Sequence, residues 1–84
     1  MSYKVIFSDF ANKQLGKLPK EIQKRIISTI KRCQIRPYPH VKKLVASKYF
    51  RLRVGDYRII LDITDGELII HVIELGHRRD IYKK

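Results

Sequence analysis

Apolar residues recur at two spacings along the chain, and each spacing predicts a different kind of element. Between residues 20 and 36 they return every three or four positions, which is typical of an amphipathic helix. The residues of this apolar stripe are Ile22, Ile26, Ile27, Ile30 and Cys33. Pro37 and Pro39 end the helix, because proline disrupts helical hydrogen bonding. From residue 49 onward apolar and polar positions alternate instead, as they do in half-buried strands.

Residues 3–19 add a strand and a short helix before this amphipathic helix. Tyr3 to Phe7 alternates as a strand. Ser8 is a good N-cap, and it begins a helix that runs to about Lys17. Pro19 then starts the second helix in its first turn, where a missing N–H does no harm. The apolar residues that the short helix should place near the core are Phe10, Ala11, Leu15 and Leu18.

Turn signals divide the C-terminal half of the chain into strands. The predicted strands cover residues 49–54, 57–63 and 67–75. The Gly55-Asp56 pair between the first two predicts a hairpin with a two-residue loop. Such a loop places Arg53 directly opposite Arg58. Residues 38–48, which precede the first of these strands, are predicted to form a loop.

The Asp65-Gly66 pair is a second hairpin signal, and it sets Leu61 opposite Ile70. One face of the sheet is then apolar nearly throughout, and the two N-terminal helices are the elements that can cover it. We therefore predict a single domain over residues 1–84 with an α/β fold of the α+β type. Its antiparallel sheet carries the two N-terminal helices on one face.

The opposite face of the predicted sheet carries Arg51, Arg53 and Arg58. Like charges directly opposite each other destabilise a sheet, so a chain that keeps them has a use for an anion. Guanidinium groups match phosphate oxygens in a bidentate way, which favours an RNA or DNA backbone as the ligand. A merely solvated sheet face is the alternative that this pattern leaves open.

Few other ionisable groups belong to this face. Asp62 is the sole carboxylate that the predicted register places there, and His71 lies there opposite Ile60. His77 follows Gly76 in a basic C-terminal segment and is a candidate for proton transfer. Scattered histidines without a carboxylate pattern do not make a metal site, so we predict no metal.

The net charge of +11, from 19 Lys+Arg against 8 Asp+Glu, narrows the choice of partner. Such a surplus points to nucleic acid, an acidic protein or an anionic membrane, and nucleic acid is the commonest of these for a small basic domain. No apolar run approaches the ~18 residues of a membrane span, and no signal peptide is evident. Cys33 is the single cysteine, which leaves no disulfide framework. We expect a cytoplasmic protein.

Motifs along nearly the whole chain resemble those of the RelE toxins, within the RelE/ParE superfamily of prokaryotic type II toxin–antitoxin pairs. The opening strand ends in Phe7-Ser8, and the helix junction reads KLPK at residues 17–20. The central motif is YFRLRVGDYRII at residues 49–60, and the last is GHRRDIY at residues 76–82.

This resemblance implies a metal-free mRNA endoribonuclease, without cofactors, that enters the ribosomal A site and cuts the codon there. In the family reaction the ribose 2′-hydroxyl attacks the adjacent phosphate and leaves a 2′,3′-cyclic phosphate and a 5′-hydroxyl. Arg51 and Arg53 fall where the family places basic residues, and Arg58 falls on the arginine that stabilises the transition state. Arg78 falls on the residue assigned to the leaving group, and Tyr82 falls on the tyrosine that stacks on a base. The implied partners are the ribosome, mRNA and an acidic RelB-like antitoxin, with no membrane.

The resemblance leaves the general base open. Some relatives carry lysines where this chain has Arg51 and Arg53, and arginine is a poor base because it stays protonated. These two arginines are better interpreted as electrostatic clamps. His77, a phosphate oxygen or a ribosomal group are the remaining candidates for the base.

Two other functions fit the same residues less fully. ParE proteins of the superfamily inhibit DNA gyrase without nuclease chemistry, and they generally lack the full set of arginines and the tyrosine. A plain RNA-binding module without catalysis is the second alternative.

Overall fold

The computed structural model describes residues 2–77, which build two α-helices and a five-stranded sheet. The elements in chain order are β1 (Lys4–Phe7), α1 (Asp9–Gly16), α2 (Lys20–Cys33), a 3₁₀ helix (Tyr38–His40), β2 (Val41–Lys43), β3 (Phe50–Val54), β4 (Tyr57–Thr64) and β5 (Ile69–His77). Arg78 and Tyr82, two of the predicted site residues, lie outside the described residues. Within residues 2–77, none of the helices has the length and apolar composition needed to cross a membrane.

Strand β1 lies beside β5, the strand farthest from it along the chain. The sheet order is β1-β5-β4-β3-β2, with β1 parallel to β5 and the other pairs antiparallel. The predicted α+β class with two helices is confirmed, but the expectation of a wholly antiparallel sheet is wrong. Both helices separate β1 from the other strands, so nothing local in the sequence specifies its neighbour or its direction.

The segment predicted as a loop at residues 38–48 contains an edge strand. Residues 41–43 form β2 and pair with β3, with Val41 opposite Leu52 and Lys43 opposite Phe50. The loop prediction is therefore wrong for these three residues. A strand this short, with two lysines in it, carries no alternation that could be recognised.

The first hairpin has the predicted register, with Arg53 opposite Arg58 and Val54 opposite Tyr57. Gly55 has a φ of 57°, in the left-handed region that glycine enters without a steric penalty. This local turn chemistry explains why the sequence sufficed to predict the pairing of β3 with β4.

The second hairpin departs from its predicted register. Thr64 pairs with Ile69, which leaves residues 65–68 as the loop, and Leu61 pairs with Val72 instead of Ile70. The strand predicted at residues 67–75 accordingly begins and ends two residues later. The two-residue loop expected at Asp65-Gly66 is wrong.

Side chains from distant elements hold this longer loop. The Tyr3 hydroxyl donates to Asp65 Oδ1 at 2.8 Å, and the Tyr38 hydroxyl donates to both carboxylate oxygens at 2.7 and 2.8 Å. The Lys4 N–H donates to the Leu68 carbonyl oxygen at 2.7 Å. Hydrogen bonds from Tyr38 and then Tyr3 lower the pKa of Asp65. Partial burial, together with the bond to Asp65, raises the pKa of Tyr38 to about 12.

A β-bulge interrupts the pairing of β4 with β5. Leu61 pairs with Val72 on one side of it and Ile60 pairs with Glu74 on the other, which leaves Ile73 without a partner position. The bulge reverses the alternation of β5. Val72 and the residue three positions later, Leu75, are consequently both fully buried in the core.

Ser8 ties the start of α1 to this bulge. Its Oγ accepts a hydrogen bond from the Ala11 N–H at 3.0 Å, as the predicted N-cap should. The same hydroxyl donates to the Ile73 carbonyl oxygen at 2.7 Å. One side chain therefore begins the helix and fixes it against β5.

The hydrophobic core lies between the helices and one face of the sheet. Its fully buried residues include Ala11, Ile26, Cys33, Ile59, Leu61, Ile70, Val72 and Leu75. The expectation that Phe10 joins the core is wrong, since it is 54% exposed. Ala11 and Leu15 face the sheet, and Phe10 points away because successive helical residues are rotated by about 100°.

Candidate nucleic-acid interface

The face of the sheet that the helices leave uncovered, called the open face below, carries most of the cationic residues of β2, β3 and β4. Lys42 lies opposite Arg51, Arg51 opposite Ile60, and Arg53 opposite Arg58. Cross-strand partners share a face, so the backbone of all four cationic residues directs them to the same side.

Arg58 occupies a central strand of this face and is only 6% exposed. Among residues 2–77 it is the sole charged residue that is buried. Its partner position on β5 is Gly76, which has no side chain to extend over the guanidinium. A cation held in such low-dielectric surroundings interacts with a phosphate more strongly than a solvated one does.

The side chain of Arg53 bonds to the backbone of the hairpin turn. Its Nε donates to the Gly55 carbonyl oxygen at 3.4 Å, and Arg53 is an exposed residue that lines a groove between the hairpin turn and α2. The backbone register thus agrees with the predicted arginine cluster, whereas the guanidinium of Arg53 lies towards the turn.

Asp62 is not the only carboxylate on the open face. It lies opposite His71 and comes within 4.0 Å of Lys48 Nζ. The prediction that His71 lies opposite Ile60 is wrong, because Glu74 takes that position. The open face therefore includes a second carboxylate, half-buried, beside its arginines.

The β-bulge explains why Glu74 was missed. Unbroken alternation from Ile70 and Val72 would turn Glu74 towards the core, but the extra residue Ile73 turns it to the open face. The spacing of three between Val72 and Leu75, with a charged residue between them, is the signal in the sequence that could have revealed the bulge.

His77 lies on the other face from Arg58. It pairs with Tyr57, and the two rings meet edge to face with centroids 5.6 Å apart and planes at 79°. Its surroundings include Leu18 and Gln14 of the helical layer. The described structure thus does not bring His77 together with the arginines of the open face.

No group of three or more His, Cys, Asp or Glu side chains within residues 2–77 could hold a metal ion. The cations that the structure places on the open face are suited to binding an anion. Two of the predicted residues, Arg78 and Tyr82, come after the end of β5 in the chain, beyond the described residues.

Comparison with known proteins matches the chain over nearly its whole length. Residues 5–82 match the family described as the ParE toxin of the type II toxin–antitoxin system, parDE. Toxin RelE3 of Methanocaldococcus jannaschii is 38% identical over 85 residues, which cover 94% of this chain and 94% of that protein. A RelE-like toxin protein of Escherichia coli is 33% identical over 87 residues, which cover 98% of this chain and 92% of the relative.

The fold has close counterparts among solved structures. The toxin–antitoxin complex RelBE2 of Mycobacterium tuberculosis contains a chain that superposes with a TM-score of 0.83 at 25% identity. The superposition covers 93% of this chain and 100% of the other.

Proposed function

This chain belongs to the ParE toxin family of type II toxin–antitoxin systems, and we propose that it halts translation by cutting mRNA in the ribosomal A site. The observation that carries the proposal is the buried guanidinium of Arg58 on a sheet face that also carries Arg51. Relatives named RelE or RelE-like favour the nuclease over the other activities of the superfamily.

The proposed reaction is a metal-free transesterification. The ribose 2′-oxygen forms a bond to the adjacent phosphorus, and the bond from that phosphorus to the 5′-oxygen breaks. The 2′-hydroxyl loses a proton and the departing 5′-oxygen gains one, so the products are a 2′,3′-cyclic phosphate and a 5′-hydroxyl. Negative charge increases on the phosphoryl oxygens in the transition state, where fixed guanidinium groups stabilise it.

The roles of the residues follow from their positions and from the family motif. Arg58 stabilises the transition-state charge, and Arg51 holds the phosphate on the open face. Arg53, at the hairpin turn, guides the strand towards them. Arg78 serves the leaving group and Tyr82 stacks on a base, as the motif implies.

The proton acceptor for the 2′-hydroxyl is a group other than the two arginines of β3. Arg51 and Arg53 are unsuited to it because guanidinium groups stay protonated. His77, a phosphate oxygen and a ribosomal group are the candidates, and β5 carries His77 on the other face of the sheet from Arg58. Most of the acceleration then comes from two effects. The protein holds the 2′-hydroxyl in line with the scissile bond, and its cations neutralise the charge on the phosphate.

The proposed silencing partner is an acidic, RelB-like antitoxin. The neighbour from M. tuberculosis was solved as a toxin–antitoxin complex, and the net charge of +11 suits rapid capture by an acidic protein. The antitoxin would cover the open face and so block access of mRNA. Native co-purification of a small acidic protein is the expected result, and its absence would count against this partner.

The test is cleavage of a defined mRNA on purified ribosomes by Arg58→Met, which keeps an unbranched side chain about as long as the aliphatic stem of arginine and removes the charge. We expect the cleavage rate to fall by about 10²–10³, the loss typical for one transition-state donor. Arg58→Lys should retain part of the rate because the charge remains while the bidentate fork is lost. Arg36→Met, an exposed arginine after α2, is the matched control and should cut at the wild-type rate.

Folding has to be checked separately because Arg58 is buried. A thermal melt of each variant followed by circular dichroism identifies any loss of structure. Cleavage at the wild-type rate by folded Arg58→Met would refute the site assignment.

The matching family description favours one second candidate, inhibition of DNA gyrase, because it is written for ParE toxins. A gyrase inhibitor would leave translation intact and impair supercoiling of plasmid DNA. Codon-positioned cuts that appear only with ribosomes, without an effect on supercoiling, would decide for the nuclease.

A further inference from the structure

A second cationic surface lies on the helical side of the hairpin, between α2 and the turn that joins β3 to β4. We call it the α2–hairpin groove and define it by Lys24, Arg25, Arg32 and Arg53, with Ser28 and Thr29 between them. Its volume is about 550 Å³. It is distinct from the open face, and Arg53 is the residue that connects the two.

Helix α2 lines the groove with a regular series of side chains. Lys24, Ser28 and Arg32 are spaced by four residues, and Arg25 and Thr29 follow the same spacing one position later. Residues four apart lie on one face of a helix, so these side chains form a single strip. The cations at its ends are about 11–12 Å apart along the helix axis.

Two arginines from different elements contact the hairpin turn at Gly55. A Cβ placed on Gly55 would lie 3.6 Å from Arg25 Nη2 and 3.7 Å from Nη1, so the Arg25 guanidinium lies against the bare backbone of the turn. Arg53 donates from Nε to the carbonyl oxygen of the same Gly55. The turn therefore gathers cations from α2 and β3 around one glycine.

The cations of this groove have no carboxylate partner among residues 2–77. None of its lining residues is acidic, and none of its four cations forms an ion pair with an Asp or Glu of residues 2–77. Like charges held at one surface destabilise the free protein. A ligand with several negative charges along its length would relieve this repulsion.

We propose that the α2–hairpin groove binds the phosphate backbone of a folded RNA, separately from the mRNA strand at the open face. The lining favours RNA over an acidic protein, because Val54 is its only large apolar residue and protein interfaces need apolar residues at their centre. Guanidinium forks and hydroxyl groups are the usual partners of phosphate oxygens. The inference rests on the proposed function in that a toxin acting on ribosomes meets folded RNA at its target.

The test compares two triple variants that remove the same charge. The groove variant is Lys24→Gln with Arg25→Gln and Arg32→Gln, and it leaves Arg53 of the candidate site in place. The control variant is Lys13→Gln with Lys17→Gln and Arg36→Gln, all exposed and none lining the groove. Both variants lower the net charge by three, so a general charge effect is common to them.

Binding of a fluorescein-labelled RNA hairpin is measured by anisotropy over a range of salt concentrations. Each phosphate contact adds about 0.7–0.9 to the slope of log affinity against log salt, so the groove variant should have a slope about 2–3 smaller than the control. Between ~50 and ~200 mM salt, wild-type affinity should then fall about 20–40-fold more than that of the groove variant. Equal slopes for the two triple variants would overturn the proposal.

Two further measurements separate the remaining outcomes. If polyglutamate binds in a groove-dependent way and the RNA hairpin does not, the surface is a protein site and the proposal is wrong. In ribosome titrations, the groove variant should need more ribosomes for half-maximal cleavage and reach the wild-type rate at saturation. The anisotropy assay involves no ribosome and no cleavage, so it tests the groove independently of the proposed function. A wild-type protein that cuts no mRNA would refute the proposed function, and the salt slopes for hairpin binding would stay the same.

Discussion

Replacing Ser8 by alanine should destabilise the fold by about 2 kcal/mol, since one hydroxyl makes two separate hydrogen bonds. Loss of the N-cap bond from the Ala11 N–H accounts for about 1 kcal/mol. Loss of the bond to the Ile73 carbonyl oxygen, in a part-buried position, accounts for another ~1 kcal/mol. For a domain of this size the sum corresponds to a fall in Tm of about 8–16 °C.

Urea denaturation followed by circular dichroism measures the loss, and two further variants separate its parts. Ser8→Thr keeps a hydroxyl that can both donate and accept, so it should stay close to the wild type. Ser8→Asp keeps an acceptor for the helix start but has no proton to donate to Ile73, so about half of the loss should remain.

The same bond helps to hold the bulge that turns Glu74 to the open face. Amide hydrogen exchange in residues 72–76 should therefore accelerate in Ser8→Ala more than exchange in β3 does. A loss below about 0.5 kcal/mol, with unchanged exchange in β5, would refute the idea that Ser8 joins α1 to the bulge.

Three further predictions test the loops at opposite ends of the sheet. In urea denaturation, Gly55→Ala should lower the stability by about 1 kcal/mol, because the φ of 57° at this position strains any residue with a Cβ. Gly66 has open space around it, so Gly66→Ala should be neutral or slightly stabilising. Equal effects of the two substitutions would contradict this account. The folded-state pKa of Asp65 lies below its ordinary value of 3.8. The carboxylate should therefore stabilise the fold fully above pH 3.8, and this contribution should disappear as the pH falls through the folded-state pKa. In urea denaturation, the difference in stability between wild type and Asp65→Asn should accordingly shrink in acid. The folded-state pKa of Tyr38 is raised from 10.0 to about 12. The contribution of its hydroxyl to stability should therefore be complete below pH 10.0 and disappear as the pH rises towards 12. The absorbance of the phenolate, compared between wild type and Tyr38→Phe, measures this titration.

Local signals were sufficient wherever an element depends on its own residues. Ser8 was recognised as an N-cap because its hydroxyl satisfies the nearby Ala11 N–H. The Gly55-Asp56 turn predicted the pairing of Arg53 with Arg58, since the loop length alone determines the register. The helical apolar stripe likewise identified Ile26 and Cys33 as core residues.

Local signals failed where contacts between distant residues decided the structure. Asp65-Gly66 has the composition of a tight turn, but the hydroxyls of Tyr3 and Tyr38 hold Asp65 in a longer loop. That loop, together with the bulge at Ile73, changed the register of β5 against β4 and placed Glu74 on the open face. The parallel neighbour of β1 was beyond prediction for the same reason.

The family resemblance and the set of candidate residues came from the sequence alone, because motif spacing and turn chemistry are written along the chain. The arrangement of the charges was decided only by the tertiary structure. Packing buries Arg58, and the approach of α2 to the turn brings Arg25 and Arg53 to Gly55. The burial of a side chain and the charges near it depend on which elements pack together. The spacing of residues along one strand does not specify that packing.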